Sequence, residues 1–319
     1  MQNSALVADR TRETVQKTAD ELGYVYNRAA ASLRSKQTGI FGLIISSLSN
    51  PFFAEMTLGI EKSFGESENT VLLGQHSENL ATQERMIQTM LEMRVDGILL
   101  VAAENTPKSV FDILEKWKVP TVLLTRKVKG IKTPYVGPNN IKAGESAADH
   151  LFEHKVKRIA FIGSKLNGPV QGDRLQGVLI SAAAHNISAH QVEVVGENTS
   201  RQSGYDATME LLKSGRTNLG LVCYNDIVAF GAMAALRDAG LVIGKDVAII
   251  GIDDVDAARF ENPALTTVSI DAIRIGEMAA ELVANMVHDA GAPKKDLISD
   301  NTLTIRQSCG CNVEVRGRS

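Results

Sequence analysis

Two histidines stand one helical turn apart in His150-Leu151-Phe152-Glu153-His154. This is the order in which a helix presents two imidazoles to a divalent metal with a glutamate beside them. The segment runs straight into an apolar run and no further carboxylate ligand is indicated, so it reads as solvated residues at a helix end. Cys309-Gly310-Cys311 is half of a soft-metal site, but a tetrahedral site takes four ligands and Cys223 is the one other cysteine. The pair reads as tail cysteines, and neither motif is expected to hold a metal. Gly-x-Ser-x-Gly, Walker and Gly-x-Gly-x-x-Gly patterns are absent, which removes the usual hydrolase, nucleoside triphosphatase and dinucleotide signals. No enzyme activity and no cofactor are expected.

Binding chemistry is better represented. Ser49-Asn50-Pro51-Phe52-Phe53 places two adjacent aromatic rings after an apolar run, where they can stack on a planar base or on a sugar's apolar face. Phe52 is favoured as the ligand ring, and Phe53 serves equally well as the start of a hydrophobic helix. Asp173-Arg174 falls where a loop becomes a helix, a place from which a guanidinium can fork onto hydroxyls or a carboxylate. Tyr224-Asn225-Asp226 and Asp253-Asp254 end apolar runs, where short polar side chains reach a cleft. Asp226 and Asp254 are expected to cap the helices that follow.

The elements that must carry these residues follow from periodicity. Residues 9–22 place Val15, Ala19 and Leu22 on one stripe of a helix closed by Gly23. Beyond Gly39, apolar runs at 40–45, 71–73, 97–101, 120–124, 158–162, 219–223 and 247–252 alternate with amphipathic stretches such as 53–67, 81–93 and 141–153. That is the repeated βα signature of parallel sheets covered on both faces. Ligands in such sheets bind at the carboxyl ends of the strands, where the binding residues above fall.

Bulk properties agree. A chain of 319 residues exceeds one compact core, so two domains and an appendage are expected. A net charge of −3 with 22% charged residues excludes a protein that coats nucleic acid along its whole surface. Nucleic-acid contact must be local. Three cysteines form no secreted disulfide framework, and the amino terminus lacks the apolar core of an export signal. With no apolar stretch of about 18 residues, a cytoplasmic protein with no membrane partner is expected.

In this order, these residues resemble the LacI/GalR family of bacterial transcription regulators over about residues 6–310. Carriers include Glu21-Leu22-Gly23-Tyr24, Ile40-Phe41-Gly42-Leu43-Ile44, Arg94-Val95-Asp96-Gly97, Asn225-Asp226 and Pro263-Ala264-Leu265-Thr266-Thr267. The resemblance implies an α/β, two-lobed type I periplasmic-binding-protein-like fold with parallel sheets, preceded by a partial all-α headpiece and hinge helix over residues 1–38. The first lobe would take 39–157 and 269–292, the second 158–268 and 293–311, with a tail at 312–319.

An effector, a sugar or sugar derivative, would lie between the lobes against Phe52, Phe53, Asn139, Arg174, Asn225 and Asp253. A homodimer would bind operator DNA through Asn27, Ala30, Ser32, Leu33 and Arg34, with Leu33 as the minor-groove wedge. Ala8 and Ala31 stand where the family commonly has a serine cap and an arginine. Met1 falls where the family's recognition helix ends, so the chain as given is expected to bind DNA weakly and without operator selectivity. The alternative is a solute receptor of the same fold without DNA-binding activity.

Overall fold

The computed structural model describes residues 8–24, 37–65, 69–154, 156–163, 168–213, 219–289, 291–293 and 295–311. The expected DNA contacts Asn27, Ala30, Ser32, Leu33 and Arg34 and the tail 312–319 lie outside the described residues.

The repeated βα pattern becomes two six-stranded sheets. The first is built from β1 (Ile40–Ile45), β2 (Thr70–Gln75), β3 (Gly97–Leu100), β4 (Thr121–Leu124), β5 (Tyr135–Pro138) and β11 (Leu297–Ser299), in the order β11-β5-β4-β3-β1-β2. The second repeats that winding with β6 (Arg158–Ile162), β7 (Val192–Val195), β8 (Leu219–Cys223), β9 (Val247–Asp253), β10 (Thr266–Ile270) and β12 (Asn301–Thr304), in the order β12-β10-β9-β8-β6-β7. Every pairing is parallel except that of β10 with β12. Strands β3, β4 and β8 are buried along their whole length, as continuous apolar runs covered on both faces should be. The order reverses between β1 and β3 and between β6 and β8, which opens the crevice of each sheet at its carboxyl edge.

The helices are α1 (Asp9–Glu21), α2 (Pro51–Phe64), α3 (Leu80–Glu92), α4 (Lys108–Lys116), α5 (Asn140–Glu153), α6 (Pro169–Ala184), α7 (Arg201–Lys213), α8 (Asp226–Asp238) and α9 (Ala272–His288). α1 has no side-chain cap: Ala8 offers its carbonyl to Thr11 and Arg12, while Asp9 pairs with the Arg12 guanidinium at 2.9 Å. Its stripe is unburied, with Val15 44% and Leu22 78% exposed.

Two expected lobe boundaries move. α5 packs on α6 and on β8, β9, β10 and β12, so the chain leaves the first sheet after β5 rather than at residue 157. β11 pairs with β5 in the first sheet, so the last crossing falls between Ser299 and Asn301 rather than at residue 292. β11 is only three residues long, Leu297-Ile298-Ser299, too short for a pattern of its own, and is set by its pairing with β5.

The α5–α6 contact is close because each helix meets the other with a glycine. A Cβ on Gly144 would be driven into the Arg174 carbonyl, and one on Gly177 into the Ile141 carbonyl. The same reciprocal contact recurs where α2 meets α9 and where α7 meets α8. Within an ordinary helix Gly→Ala stabilises by roughly 0.5–1 kcal/mol, whereas overpacking costs about 1–3 kcal/mol. Gly144→Ala is therefore expected to destabilise the second lobe by about 1–3 kcal/mol in urea unfolding. A neutral or stabilising result would contradict the close crossing.

Candidate functional site

The tight α5–α6 crossing sets Arg174 beside the first turn of α5. The residue is 5% exposed, and a guanidinium remains charged at any accessible pH, so its donors require acceptors. They come from three elements. Nε donates to Asn140 Oδ1 at 3.0 Å, Nη1 to the Tyr224 carbonyl after β8, and Nη2 to Asp253 Oδ1 at 3.4 Å at the end of β9. The guanidinium carbon also lies 4.9 Å from the Tyr224 ring centre.

Asp253 joins the sheets. Its backbone is held at φ +127°, a strained value for a side-chain-bearing residue. Its Oδ2 accepts from Asn50 Nδ2, which belongs to the loop after β1, at 3.4 Å. Burial pushes the Asp253 carboxyl up to about 6 although Arg174 and Asn50 pull it down. Both contacts are long for charge-assisted hydrogen bonds, which run at about 2.7–2.9 Å for N–H···O.

From the first sheet, Arg126 approaches the same phenol. His76, after β2, has Nε2 2.9 Å from the Val101 carbonyl, and its Nδ1 accepts from the Glu78 amide at 3.0 Å. Glu78 then receives Arg126 Nη1 at 2.9 Å, and the same nitrogen donates to the Ala102 carbonyl at 2.8 Å. Arg126 Nε is buried without a partner among the described residues. The Tyr224 phenol is pushed up by burial and pulled back by Arg174 and Arg126. Glu104 lies against Gly168 of the second lobe, so the two carboxyl edges face each other at close range.

Each expected site residue has a definite place. Arg174 and Asp253 meet. Asn225 is buried, but its Oδ1 is taken by the Val228 amide at 3.0 Å, which makes it the cap of α8. Asn139 is exposed and caps α5 through the Lys142 amide at 3.1 Å; its neighbour Asn140 is the one that faces the cleft. Phe52 is buried in the core and stands edge-on to the half-buried Phe53, with ring centres 5.4 Å apart. Phe53 thus keeps more open surface than Phe52, the reverse of the expected weighting.

Asp226 and Asp254 do not cap their helices. Asp226 is fully buried and accepts from Thr267 Oγ1 at 2.6 Å and from the Val255 amide at 2.9 Å. Asp254 pairs with Arg306 at 2.6 Å and accepts from Thr304 Oγ1 at 3.0 Å. The sequence marks the segments that hold Asn50 and Tyr224 without singling out those two residues, and gives no sign of Glu78 or Asn140. Asn50 could have been found as the N-cap before Pro51, since its Oδ1 accepts from the Phe52 amide.

A separate concavity of about 1200 Å³ opens at the opposite, amino-terminal edge of the first sheet, between Asp96, Phe111, Trp117 and Ile131. It holds no comparable set of buried polar groups among the described residues and lies at the edge opposite the carboxyl-end crevices.

The periplasmic-binding-protein-like domain family matches residues 148–309. The repressor PurR of Erwinia tasmaniensis is 31% identical over 304 residues, covering 95% of this chain and 89% of that protein. The chain belongs to the LacI/GalR family. The structure of the transcriptional regulator CelR in complex with cellobiose superposes with a TM-score of 0.78 at 26% identity, covering 96% of this chain and 92% of that one. A LacI family regulator from Enterococcus faecium with bound ribose gives 0.77 at 25% identity, covering 84% of this chain and 98% of that one. These relatives are transcription regulators. No helix among the described residues is long and apolar enough to cross a membrane.

The carboxyl groups beneath the cleft make a measurable prediction. Burial, reinforced by the nearby Asp253 charge, pushes Asp226 up to about 8 despite the hydrogen bonds from Thr267 and Val255. An unfolded aspartate titrates near 3.9, so between the two values the folded chain holds a proton that the unfolded chain has lost. This contribution is complete below about pH 4 and declines until the pH passes about 8. Urea unfolding should show stability falling across that window, and Asp226→Asn should flatten the fall. Equal slopes in both proteins would contradict the buried, protonated carboxyl.

Proposed function

We propose that the chain is a ligand-controlled transcription regulator whose effector, a sugar or sugar derivative, lies between the two carboxyl edges and contacts Arg174 and Asp253. The observation that carries this reading is the loose pair itself. Asp253 meets both Arg174 and Asn50 at 3.4 Å. Hydroxyl donors would satisfy that carboxylate at about 2.5–2.7 Å, while the guanidinium donates to a neighbouring hydroxyl oxygen. Adjacent acceptor and donor suit a polyol. A planar base is less well served, because Phe52 is packed into the core and edge-on to Phe53. Phe53, Arg126 Nε and the amide nitrogen of Asn225 supply the remaining contacts. The cellobiose and ribose complexes of similar regulators support a carbohydrate in this cleft.

On this reading the effector links Asn50 and Phe53 of one lobe to Arg174 and Asp253 of the other. A ligand that binds one arrangement of the lobes better than another shifts the population between them by its difference in affinity. The lobes of two copies, paired side by side, would set the spacing of two hinge segments over residues 27–34 and so the affinity for a two-fold operator. The buried polar groups serve binding, and no catalytic step is assigned to them.

A thermal-shift screen over hexoses, pentoses, disaccharides, sugar acids and purines tests the ligand class. Carbohydrates should raise the midpoint, and stabilisation by purines alone would overturn the sugar assignment. For the ligand found, Arg174→Ala should weaken binding by about 10- to 100-fold, since a charge-assisted hydrogen bond contributes about 1.5–3 kcal/mol. Affinity should fall as the pH drops below about 6 and Asp253 protonates. Asp253→Asn should abolish that pH dependence; an unchanged profile would remove Asp253 from the site.

A further inference from the structure

The His-x-x-Glu-His and Cys-x-Cys motifs, each short of ligands when read alone, meet in the fold. α5 packs against β10 and β12, so its carboxyl end lies where the chain emerges from β12. Cys311 Sγ is 3.3 Å from His150 Nε2 and 3.1 Å from His154 Nε2. The ligand atoms of His150, Cys309 and Cys311 all lie within 4.8 Å of one another. The two imidazoles stand on one helix face, with ring centres 4.6 Å apart. Gly310, at φ +86°, turns the chain between the two thiols. None of these residues serves the cleft.

The spacing can be compared with a known coordination sphere. In a tetrahedral zinc site Zn–S is about 2.3 Å and Zn–N about 2.0–2.1 Å, which makes each N···S edge about 3.5 Å and each S···S edge about 3.8 Å. The two S···N separations fall within a few tenths of an ångström of that edge. Two thiolates and two imidazoles are a soft donor set that suits zinc and not the oxygen-seeking calcium or magnesium. His150 and Cys309 are buried, Cys311 is half-buried and His154 is exposed, so three groups form an inner wall and the fourth closes the site from the solvent side.

We propose that His150, His154, Cys309 and Cys311 form a Cys2His2 site for a divalent transition metal of the zinc type, which fastens the end of α5 to the carboxyl-terminal segment. Three ligands already stand together, and His154, 3.1 Å from Cys311 Sγ but outside that group of three, supplies the fourth by turning its exposed imidazole inward, which makes the site structural with no place for a substrate. Binding forms two metal–sulfur and two metal–nitrogen bonds and releases both thiol protons to solvent, so affinity rises with pH. Because α5 also carries Asn140, the clamp holds the far end of the helix on which Arg174 depends.

The test is metal analysis of the full chain purified under a thiol reductant without chelator, followed by titration of the metal-free chain with cobalt(II). One zinc ion per chain and a tetrahedral thiolate–cobalt absorption spectrum are expected, together with a rise in the unfolding midpoint on metal addition. The double variant Cys309→Ser, Cys311→Ser should lose both the spectrum and the rise. His154→Ala changes an exposed residue, keeps the fold readable, and should weaken cobalt binding by at least about tenfold. The proposal is overturned by a cobalt spectrum that stays that of the aqueous ion. It is overturned equally by uptake that is unchanged in the cysteine double variant or in His154→Ala.

Discussion

A guanidinium cannot shed its charge, so burying one commits the surrounding chain to surrounding it with acceptors. Arg174 imposes that condition here. Its three polar contacts come from α5, from the end of β8 and from the end of β9, which ties one helix crossing and two adjacent strands to a single side chain. The glycine contact at Gly144 brings the Arg174 backbone to α5, and the strained turn at Asp253 aims the carboxylate back at the guanidinium. Asp253 then reaches Asn50, so the charge buried in one lobe also sets where the other lobe stops. Removing one member of such a buried pair leaves an uncompensated charge, at a cost of about 3–5 kcal/mol.

The second carboxyl layer explains how two aspartates share so little space. Asp226, deeper and without a cation, is the one pushed up to about 8, while Asp253, facing Arg174, is held near 6. At neutral pH one proton therefore resides on Asp226, and the negative charge stays on Asp253 beside Arg174. The protonated group still accepts from Thr267 and from the Val255 amide, joining the start of α8 to β10 and to the loop that follows Asp253. Burial separates the two groups into a structural carboxylic acid and a carboxylate paired with a guanidinium.

Much of this was legible in the residues. Fully buried strands such as β3 and β8 announce themselves because both faces must be apolar. β5, β7, β10, β11 and β12 did not: they are short or carry Gly, Pro, Thr, Ser, Asn or Glu within the run, and pairing with their neighbours defines them. Arg174 and Asp253 do meet at the carboxyl edge, but it is Asn140 rather than Asn139 that joins them, because which of two adjacent asparagines caps a helix depends on where its first turn begins. Asp226 and Asp254 look like caps because aspartate favours that position. Their true partners, Thr267 and Arg306, lie 41 and 52 residues away. A still greater distance in sequence separates His150 from Cys311, 161 residues apart, and no local pattern could join them.

Two concavities compete for a ligand. The open one at the amino edge of the first sheet is large, but the convergent donors and acceptors are at the closed carboxyl edges. Hydrogen exchange followed by mass spectrometry, with and without the stabilising effector, separates them directly. Protection is predicted in both lobes together, in peptides spanning residues 46–53 and 253–256, with 108–121 and 130–134 unchanged. Protection confined to 108–121 and 130–134 would contradict the inter-lobe site.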